Sequence, residues 1–117
     1  GTTTVGTSYV VNGSAKAWAN LNGTAFGLRD SLNISSASDE GTGDYKFNYS
    51  TDMGNGNYSV SFTAGNSAGS SSTAMFIGGP NGNTVQVGST FCNCRNSANS
   101  SNVDRDQVFF QAFGDLA

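Results

Sequence analysis

Apolar and polar residues alternate along much of this chain, and a period of two predicts β-strands rather than helices. Residues 45–49 and 58–62 each place their aromatic and aliphatic side chains on one face and their polar side chains on the other. The intervening residues 52–57 are mostly Gly and Asn, which accept the positive φ angles of tight turns. The two segments are therefore predicted to pair as a β-hairpin.

Similar alternation predicts strands along the rest of the chain. The segments with this pattern are 5–11, 15–21, 26–34 (a strand pair or one bent strand), 73–77, 84–87, 90–95 and 103–113. Turn-forming residues such as Asn22-Gly23 and the run 78–83 separate them at short intervals. Closely spaced turns are typical of β-sandwiches and barrels. We therefore predict an all-β fold, an antiparallel, jelly-roll-like β-sandwich of about 8 to 10 short strands.

The composition is that of a small domain with little apolar material for its own core. Gly, Ser, Thr and Asn make up half of the 117 residues, whereas Leu, Ile, Val and Phe together make up about 19%. So low a content approaches that of disordered chains, but disorder also requires a high net charge, and the net charge is −3. We expect a single domain, residues 1–117, that gains part of its burial from partner subunits.

The residue inventory argues against several classes of function. No apolar run approaches the ~20 residues of a membrane span, so no membrane insertion is expected. Lys and Arg number 5 against 8 Asp and Glu, which argues against nucleic-acid binding. The sequence contains no His, which removes Ser-His-Asp and Cys-His catalysis and the usual zinc sites. We expect no enzymatic activity, no cofactor and no bound metal.

Cys92 and Cys94 are the only cysteines, and they occupy alternate positions of a predicted strand. Side chains at such positions point the same way, with Cα atoms about 6.5–7 Å apart, which is at the edge of disulfide reach. A C-x-C pair alone is a poor metal site, because tetrahedral coordination needs two further ligands. The pair is interpreted as two structural thiols, with a strained disulfide as the alternative.

Two clusters of carboxylates are candidates for chemistry. Residues 39–44 hold three acidic residues in one turn, and acidic loops can bind calcium. The spacing of these acids does not match an EF-hand, so a charged hairpin tip is the simpler interpretation. Asp104 and Asp106 flank Arg105 and, on an extended strand, lie at the separation that glycosidases use for their two acids. Every strand with acids at alternate positions meets that condition, so exposed ion pairs are favoured there.

The C-terminal segment 103–113 is apolar on both faces, which predicts a strand that is covered on both sides. Phe110 lies on one face, and Phe109 and Phe113 lie on the other. We expect one of these aromatic faces to be buried between subunits, so Phe109, Phe110 and Phe113 are the predicted interface residues. Trp18, the only Trp, is expected in the core or in an interface.

Several short motifs resemble a domain of tailed-bacteriophage fibre and spike proteins. They are AKAWANLNGT at Ala15–Thr24, LRDSLNISS at Leu28–Ser36, DxGTGDYxFN at Asp39–Asn48, and Met53 followed by NYSV at Asn57–Val60. The C-terminal AFGDL at Ala112–Leu116 is similar to the ends of such fibres. The resemblance departs from the family pattern at Ala19 and Leu21, and it does not extend to residues 64–102.

The resemblance implies a β-rich fibre tip, a homotrimer carried on an upstream fibre shaft or on other virion proteins at the outside of the particle. Its function there would be adhesion to a host cell-surface receptor, a polysaccharide or an outer-membrane component. Polar loops on a rigid β scaffold are common binding surfaces, and most of them lie beyond the motifs. The predicted receptor-binding residues are Asn66, Ser70, Asn81, Asn83, Asn96, Asn99 and Asn102.

Two other functions stay open at this point. The chain is alternatively a structural protein, a capsid-decoration or fibre-assembly domain that contacts no receptor. A glycan depolymerase fragment is the less favoured alternative, since two carboxylates suffice for glycoside hydrolysis without His. The chain begins at Gly1 rather than Met, and we expect it to be the C-terminal end of a longer fibre.

Overall fold

The computed structural model describes residues 3–69 and 72–117, and strands account for most of their regular structure. In these two ranges, one short helix, α1 (Thr7–Gly13), precedes eight strands. The strands are β1 (Ala17–Asn22), β2 (Gly27–Leu32), β3 (Ile34–Gly41), β4 (Asp44–Tyr49), β5 (Ser59–Gly65), β6 (Thr73–Ile77), β7 (Ser89–Asn96) and β8 (Gln107–Phe113). A short 3₁₀ turn, Pro80–Gly82, lies in the connection between β6 and β7.

The strands form two antiparallel four-stranded sheets that pack against each other. Sheet A has the order β2-β1-β8-β5, and sheet B has the order β3-β4-β7-β6. The predicted all-β antiparallel sandwich is therefore confirmed, with a strand number inside the predicted range. The jelly-roll-like path stays a prediction.

The core lies between the sheets and follows the alternation seen in the sequence. Sheet A contributes mainly small and aliphatic side chains from β1 and β8, with one aromatic: Ala17, Ala19, Leu21, Val108, Phe110 and Ala112. Sheet B contributes larger and more polar ones, Tyr45, Phe47, Tyr49, Cys92 and Cys94. The Phe110 ring stacks on Phe47 at a centroid distance of 4.9 Å and on Phe62 at 5.3 Å. Aromatic rings from both sheets thus stack in one layer of the core, where they exclude water together.

Three hydroxyl groups form a hydrogen-bonded triangle beside this aromatic layer. The Tyr49 hydroxyl lies 2.7 Å from Thr90 Oγ1 and 3.1 Å from the Tyr58 hydroxyl. The Tyr58 hydroxyl lies 2.7 Å from the same Thr90 oxygen and also donates to the Gln86 carbonyl at 2.6 Å. Since Tyr58 directly precedes β5, the triangle joins the start of a sheet A strand to β4 and β7 of sheet B. It also satisfies polar groups whose burial alone would be costly.

The predicted hairpin of residues 45–49 and 58–62 is wrong, although both segments are strands. Strand β4 pairs with β3 and β7 in sheet B, whereas β5 pairs with β8 in sheet A. The connection 50–58 therefore crosses between the sheets, and its Met53 is fully buried in the core. Alternation is the same for strands that pair side by side and for strands that face each other across a sandwich, so the pattern could not distinguish them.

Two other predicted strands differ in the structure. Residues 5–11 were expected as a strand, but Thr7–Gly13 form α1, with Tyr9, Val10 and Val11 between 50% and 78% exposed. A segment that pairs with no sheet edge forms its hydrogen bonds locally, as Tyr9 N–H does with the Gly6 carbonyl at 3.0 Å. The segment 84–87 is reduced to a single bridge between Val85 and Thr90.

The remaining predicted strands are present, although β8 begins only at Gln107, and 26–34 holds β2 and the first residue of β3, which lie in different sheets. This segment divides at Asn33, whose φ of 57° turns the chain from β2 in sheet A to β3 in sheet B. Within the described part of the chain, no helix combines the length and the apolar character needed to cross a membrane.

The β3–β4 turn, which belongs to the acidic segment 39–44, is a hairpin tip that contacts β7 and the segment before β8. Gly43 has a φ of 72°, and its amide donates to Asp104 Oδ1 at 2.8 Å. The Cys94 amide donates to the Gly43 carbonyl at 2.7 Å, and a Cβ on Gly43 would collide with the Cys94 carbonyl oxygen. Both the backbone angle and the close approach require glycine here.

Candidate functional site

A polar groove lies on the outer face of sheet B, and strand register assembles its floor. Asp44 of β4 and Phe76 of β6 are both aligned with Asn93 of β7, so the three residues form one row across the sheet. Arg95 lies two positions further along β7, on the same outward face. We call this groove, which has a volume of about 370 Å³, the sheet B groove.

Asn93 holds the two charged side chains of the groove. Its side chain is 8% exposed, it accepts a hydrogen bond from Arg95 Nε at 2.7 Å, and its Nδ2 donates to Asp44 Oδ1. The Arg95 guanidinium also lies over the Phe76 ring, 5.3 Å from its centroid, in a cation–π contact. The carboxylate and the guanidinium are therefore fixed on either side of a buried amide.

The wall of the groove is the loop between β6 and the bridge at Val85. Gly78, Gly79, Pro80, Gly82, Asn83 and Thr84 all line it, together with Ile77 and, from the other side, Asn102. The loop closes on itself through the Gly79 amide, which donates to the Asn83 carbonyl at 2.8 Å. It also lies against β7, because a Cβ on Gly79 would sit 2.8 Å from the Phe91 ring. This contact keeps the wall next to the floor.

The predicted receptor-binding residues divide between the groove and ordinary turns. Asn83 and Asn102 line the groove, although Asn83 Nδ2 also donates to the Pro80 carbonyl of its own loop at 3.0 Å. Asn81 is exposed in the same wall loop with a φ of 61°. The side chains of Asn66, Asn96 and Asn99 instead accept hydrogen bonds from amides two residues ahead, at 2.9 to 3.0 Å. Such Asx turns shape loops and explain part of their Asn content. Ser70 lies outside the described residues.

A second depression, apolar in character, lies on the outer face of sheet A. Trp18, Phe109 and Phe113 line it with Ala15 and Gln111, and its volume is about 470 Å³. Phe109 is 37% exposed and Phe113 is 39% exposed. We call this surface the sheet A patch.

The prediction that Phe110 belongs to a subunit interface needs a correction. Phe110 is 1% exposed and is part of the core of its own chain, so it has no surface to offer a neighbour. Strand β8 alternates strictly between buried and outward positions, which separates Phe110 from Phe109 and Phe113. Only the latter two remain candidates for such an interface.

The segment 104–106, expected as exposed ion pairs, has Arg105 buried and is held by hydrogen bonds to the β3–β4 turn, to the start of β6 and to Ser67. Asp104 Oδ1 accepts hydrogen bonds from the Gly43 amide at 2.8 Å and from the Tyr45 hydroxyl at 2.9 Å. Arg105 is 8% exposed and donates to Thr73 Oγ1 at 2.9 Å. Asp106 accepts from the side chain and the amide of Ser67, and these hydrogen bonds hold its pKa below its usual range. Each carboxylate is thus committed to a different loop.

Cys92 and Cys94 are free thiols buried in the core. Burial raises the pKa of Cys94 from its ordinary 9.0 to about 11, and burial raises that of Cys92 further. Within residues 3–69 and 72–117, no group of three or more His, Cys, Asp or Glu side chains is placed to hold a metal ion.

Sequence reasoning missed four residues of the groove floor: Asp44, Phe76, Asn93 and Arg95. Asp44 was considered only as part of an acidic turn, and Phe76 only as part of a short apolar strand. The relevant pattern was on β7, where Asn93 and Arg95 occupy the face opposite the cysteines. A charged and an amide side chain at alternate positions of a core strand indicate a covered polar outer face.

Comparison of the chain with protein-family models, with curated proteins and with solved structures finds no match.

Proposed function

We propose that this chain is the distal adhesion domain of a tailed-bacteriophage fibre or spike, displayed on the virion surface, where it binds a host-cell polysaccharide or outer-membrane component. The observation that carries the proposal is the sheet B groove, where Asn83 and Asn102 of two polar loops meet fixed charges on a rigid strand row. Preformed clefts with a few well-placed polar groups are the usual form of a binding site.

A homotrimer is part of this proposal. The sheet A patch exposes Trp18, Phe109 and Phe113 side by side, and large aromatic side chains are enriched at protein interfaces. A chain with so little apolar material also gains most from burial against its own copies. Three grooves on one stalk would raise the avidity well above the affinity of a single groove.

Binding without catalysis is the expected mode of action. The paired carboxylates considered for a depolymerase, Asp104 and Asp106, are engaged by Gly43, Tyr45 and Ser67. A glycosidase needs one acid to donate a proton and a second carboxylate to face the same sugar. Their engagement with separate loops supports adhesion over hydrolysis.

The test is adsorption of the labelled chain to a panel of bacterial strains and to their isolated surface polysaccharides. The double variant Asn83→Ala/Asn102→Ala should lose at least tenfold in affinity for the strain that wild type binds, because both rim amides are removed. The matched control is Asn12→Ala/Asn57→Ala, two Asn side chains outside the groove, and it should bind as wild type. Circular dichroism establishes that each variant is folded.

The outcomes separate the candidate functions. Wild-type adsorption that both double variants retain would contradict the groove as the adhesive site. Adsorption to no strain, together with immunogold labelling of the head shell, would favour the capsid-decoration role. Release of reducing sugar from a bound polysaccharide would favour the depolymerase.

A further inference from the structure

The sheet B groove holds one positive and one negative group that remain available to a ligand. The Asn93 amide donates a hydrogen bond to one carboxylate oxygen of Asp44 and accepts one from the Nε of Arg95. Within the described ranges, Oδ2 of Asp44 and the two Nη groups of Arg95 have no other hydrogen-bond partner, so they can serve a ligand as an acceptor and as donors. Because Asn93 is itself 8% exposed and held in β7, this arrangement does not have to be assembled on binding.

The rim adds neutral groups that both donate and accept. Asn83, Thr84 and Asn102 line the groove, and amide and hydroxyl side chains offer both kinds of hydrogen bond. A ligand that matches this set carries several hydroxyl groups, since each hydroxyl donates one hydrogen bond and accepts others. A carboxylate acceptor and a guanidinium donor in one groove suit adjacent hydroxyls on one ring, with one donating to Asp44 and the next accepting from Arg95.

An apolar platform lies beside these polar groups. Phe76 is 48% exposed and Ile77 is 53% exposed, and both line the groove. A pyranose ring has just this division, because its hydroxyls project outward while its C–H groups form an apolar face that packs on an aromatic ring. The volume of about 370 Å³ lies at the lower end of the 300–1,000 Å³ that is usual for small-molecule sites, which fits one or two sugar units.

The charges of the groove bear on the class of sugar it would bind. Asp44 and Arg95 are the charged residues that line it, and their formal charges cancel. The groove therefore carries no net charge that would attract an acidic or an amino sugar in preference to a neutral one.

We propose that the sheet B groove binds a neutral hexose unit, with adjacent hydroxyls on Asp44 and Arg95 and the C–H face of the ring against Phe76. This inference deepens the adhesive function proposed above and rests on it. It adds the chemical class of the ligand and three residues that determine its recognition.

Saturation-transfer NMR with the intact chain tests the inference, because the method detects millimolar affinities. The probes are the methyl glycosides of glucose, galactose and mannose, with methyl glucuronide as the acidic counterpart of the glucoside. At least one neutral glycoside should bind, and the glucuronide should bind no more tightly than the glucoside. Asp44→Asn and Phe76→Ser should each weaken binding by about 10-fold or more, since the first removes a charge-assisted hydrogen bond and the second removes the platform.

Two matched controls guard against indirect effects. Asp30→Asn removes an exposed carboxylate from β2 of sheet A, and Val87→Ser removes an exposed apolar side chain that does not line the groove. Both should bind as wild type. Arg95→Gln is a second variant of the site, and it keeps the inference testable where Asp44→Asn disturbs the β3–β4 turn.

Three results would overturn the inference: tighter binding of the glucuronide than of the glucoside, unchanged binding in Asp44→Asn, Arg95→Gln and Phe76→Ser, or binding to none of the neutral probes. If the chain nevertheless adsorbs to bacterial cells, the result supports the adhesive function and contradicts only the proposal that the ligand is a neutral hexose. If it neither binds a probe nor adsorbs to any strain, the proposed function falls as well.

Discussion

The outer faces of the two sheets differ in character although they cover the same core. Sheet A exposes Trp18, Phe109 and Phe113 around an apolar depression, whereas sheet B presents Asp44, Asn93 and Arg95 around a groove. The core constrains only alternate residues of each strand, so the outward positions are free to specialise. An apolar aromatic surface suits a protein neighbour, and a fixed polar groove suits a small polar ligand.

The inner faces differ as well. The buried residues of β1 and β8 carry no titratable group, whereas β4 and β7 bring two phenols and two thiols to the same layer. Burial is the main cause that raises the pKa values of Tyr45 and Tyr49. The two sheets should therefore respond differently to a lost aromatic ring, to a lost hydroxyl and to alkaline pH.

The largest expected effect is on the free energy of unfolding, and it should differ between the adjacent β8 residues Phe109 and Phe110. Phe110→Ala removes the ring that stacks on Phe47 and Phe62, and it should lower the free energy of unfolding by about 3–5 kcal/mol. Phe109→Ala removes an outward ring, so the fold should persist while the sedimenting mass of the proposed trimer falls. Chemical denaturation and analytical ultracentrifugation measure the two effects. Equal destabilisation by both variants would contradict the assignment of the two faces.

A smaller effect should follow from breaking the hydroxyl triangle that joins the sheets. Thr90→Val keeps the volume of the side chain but removes the oxygen that lies 2.7 Å from both Tyr49 and Tyr58. Two partly or fully buried hydroxyls then lose a partner, at a cost of about 1–3 kcal/mol by thermal or chemical denaturation. Thr63→Val, on an exposed position of β5, is the control. A loss no greater than in this control would mean that water or rotation replaces the lost bonds.

The smallest expected effect is a fall of the melting temperature at alkaline pH, caused by the buried thiols that only the inner face of sheet B contains. A thiol whose pKa is raised by folding stays protonated longer in the native chain than in the unfolded one. Its stabilising contribution is complete below pH 9.0, the ordinary value, and is lost as the pH rises through about 11 for Cys94. The melting temperature should fall by a few degrees between pH 9 and 10.

The double variant Cys92→Ala/Cys94→Ala is the control for that prediction. It lacks both thiols, so its melting temperature should fall less over the same interval, even if it starts lower. An equal fall would assign the pH dependence to the phenols of Tyr45 and Tyr49 alone.

The sequence was sufficient for the fold class but not for the pairing. Strand β6 begins and ends where the pattern predicts, at Thr73 and Ile77, and β1 shows the expected alternation. The pairing of β4 and β5 was predicted wrongly because a connection as long as 50–58 can return beside its strand or cross to the opposite sheet. The buried side chain of Met53 holds the connection in its path between the two sheets. The burial of a single Met within a Gly-rich segment cannot be predicted from the sequence.

The site was predictable only where it consists of loops. Asn83 and Asn102 belong to loops that were expected to bind, but Asn66, Asn96 and Asn99 have the same composition and serve turns instead. The floor of the groove depends on register, which places Asp44 beside a residue 49 positions later in the chain. Periodicity within each strand contains no information on that alignment.

The motifs that resemble phage fibre proteins lie largely at structural joints. A Cβ on Gly23 would collide with the Tyr45 hydroxyl, and Gly43 must approach the Cys94 carbonyl. Tyr45 itself is fully buried and donates to Asp104. These motif residues therefore help to close the sandwich, whereas Asp44, in the motif at Asp39–Asn48, contributes the carboxylate of the sheet B groove.

The position of β1 beside β8 has a consequence for biosynthesis. Of the eight strands, β1 leaves the ribosome first, and its inner neighbour in sheet A is β8, which leaves last. Until β8 emerges, only the β1–β2 hairpin of sheet A can form, and its exposed edge is open to nascent copies of the same chain. Sheet A can therefore be completed only after β8 has been synthesised, and its folding requires closure of a loop that spans most of the domain.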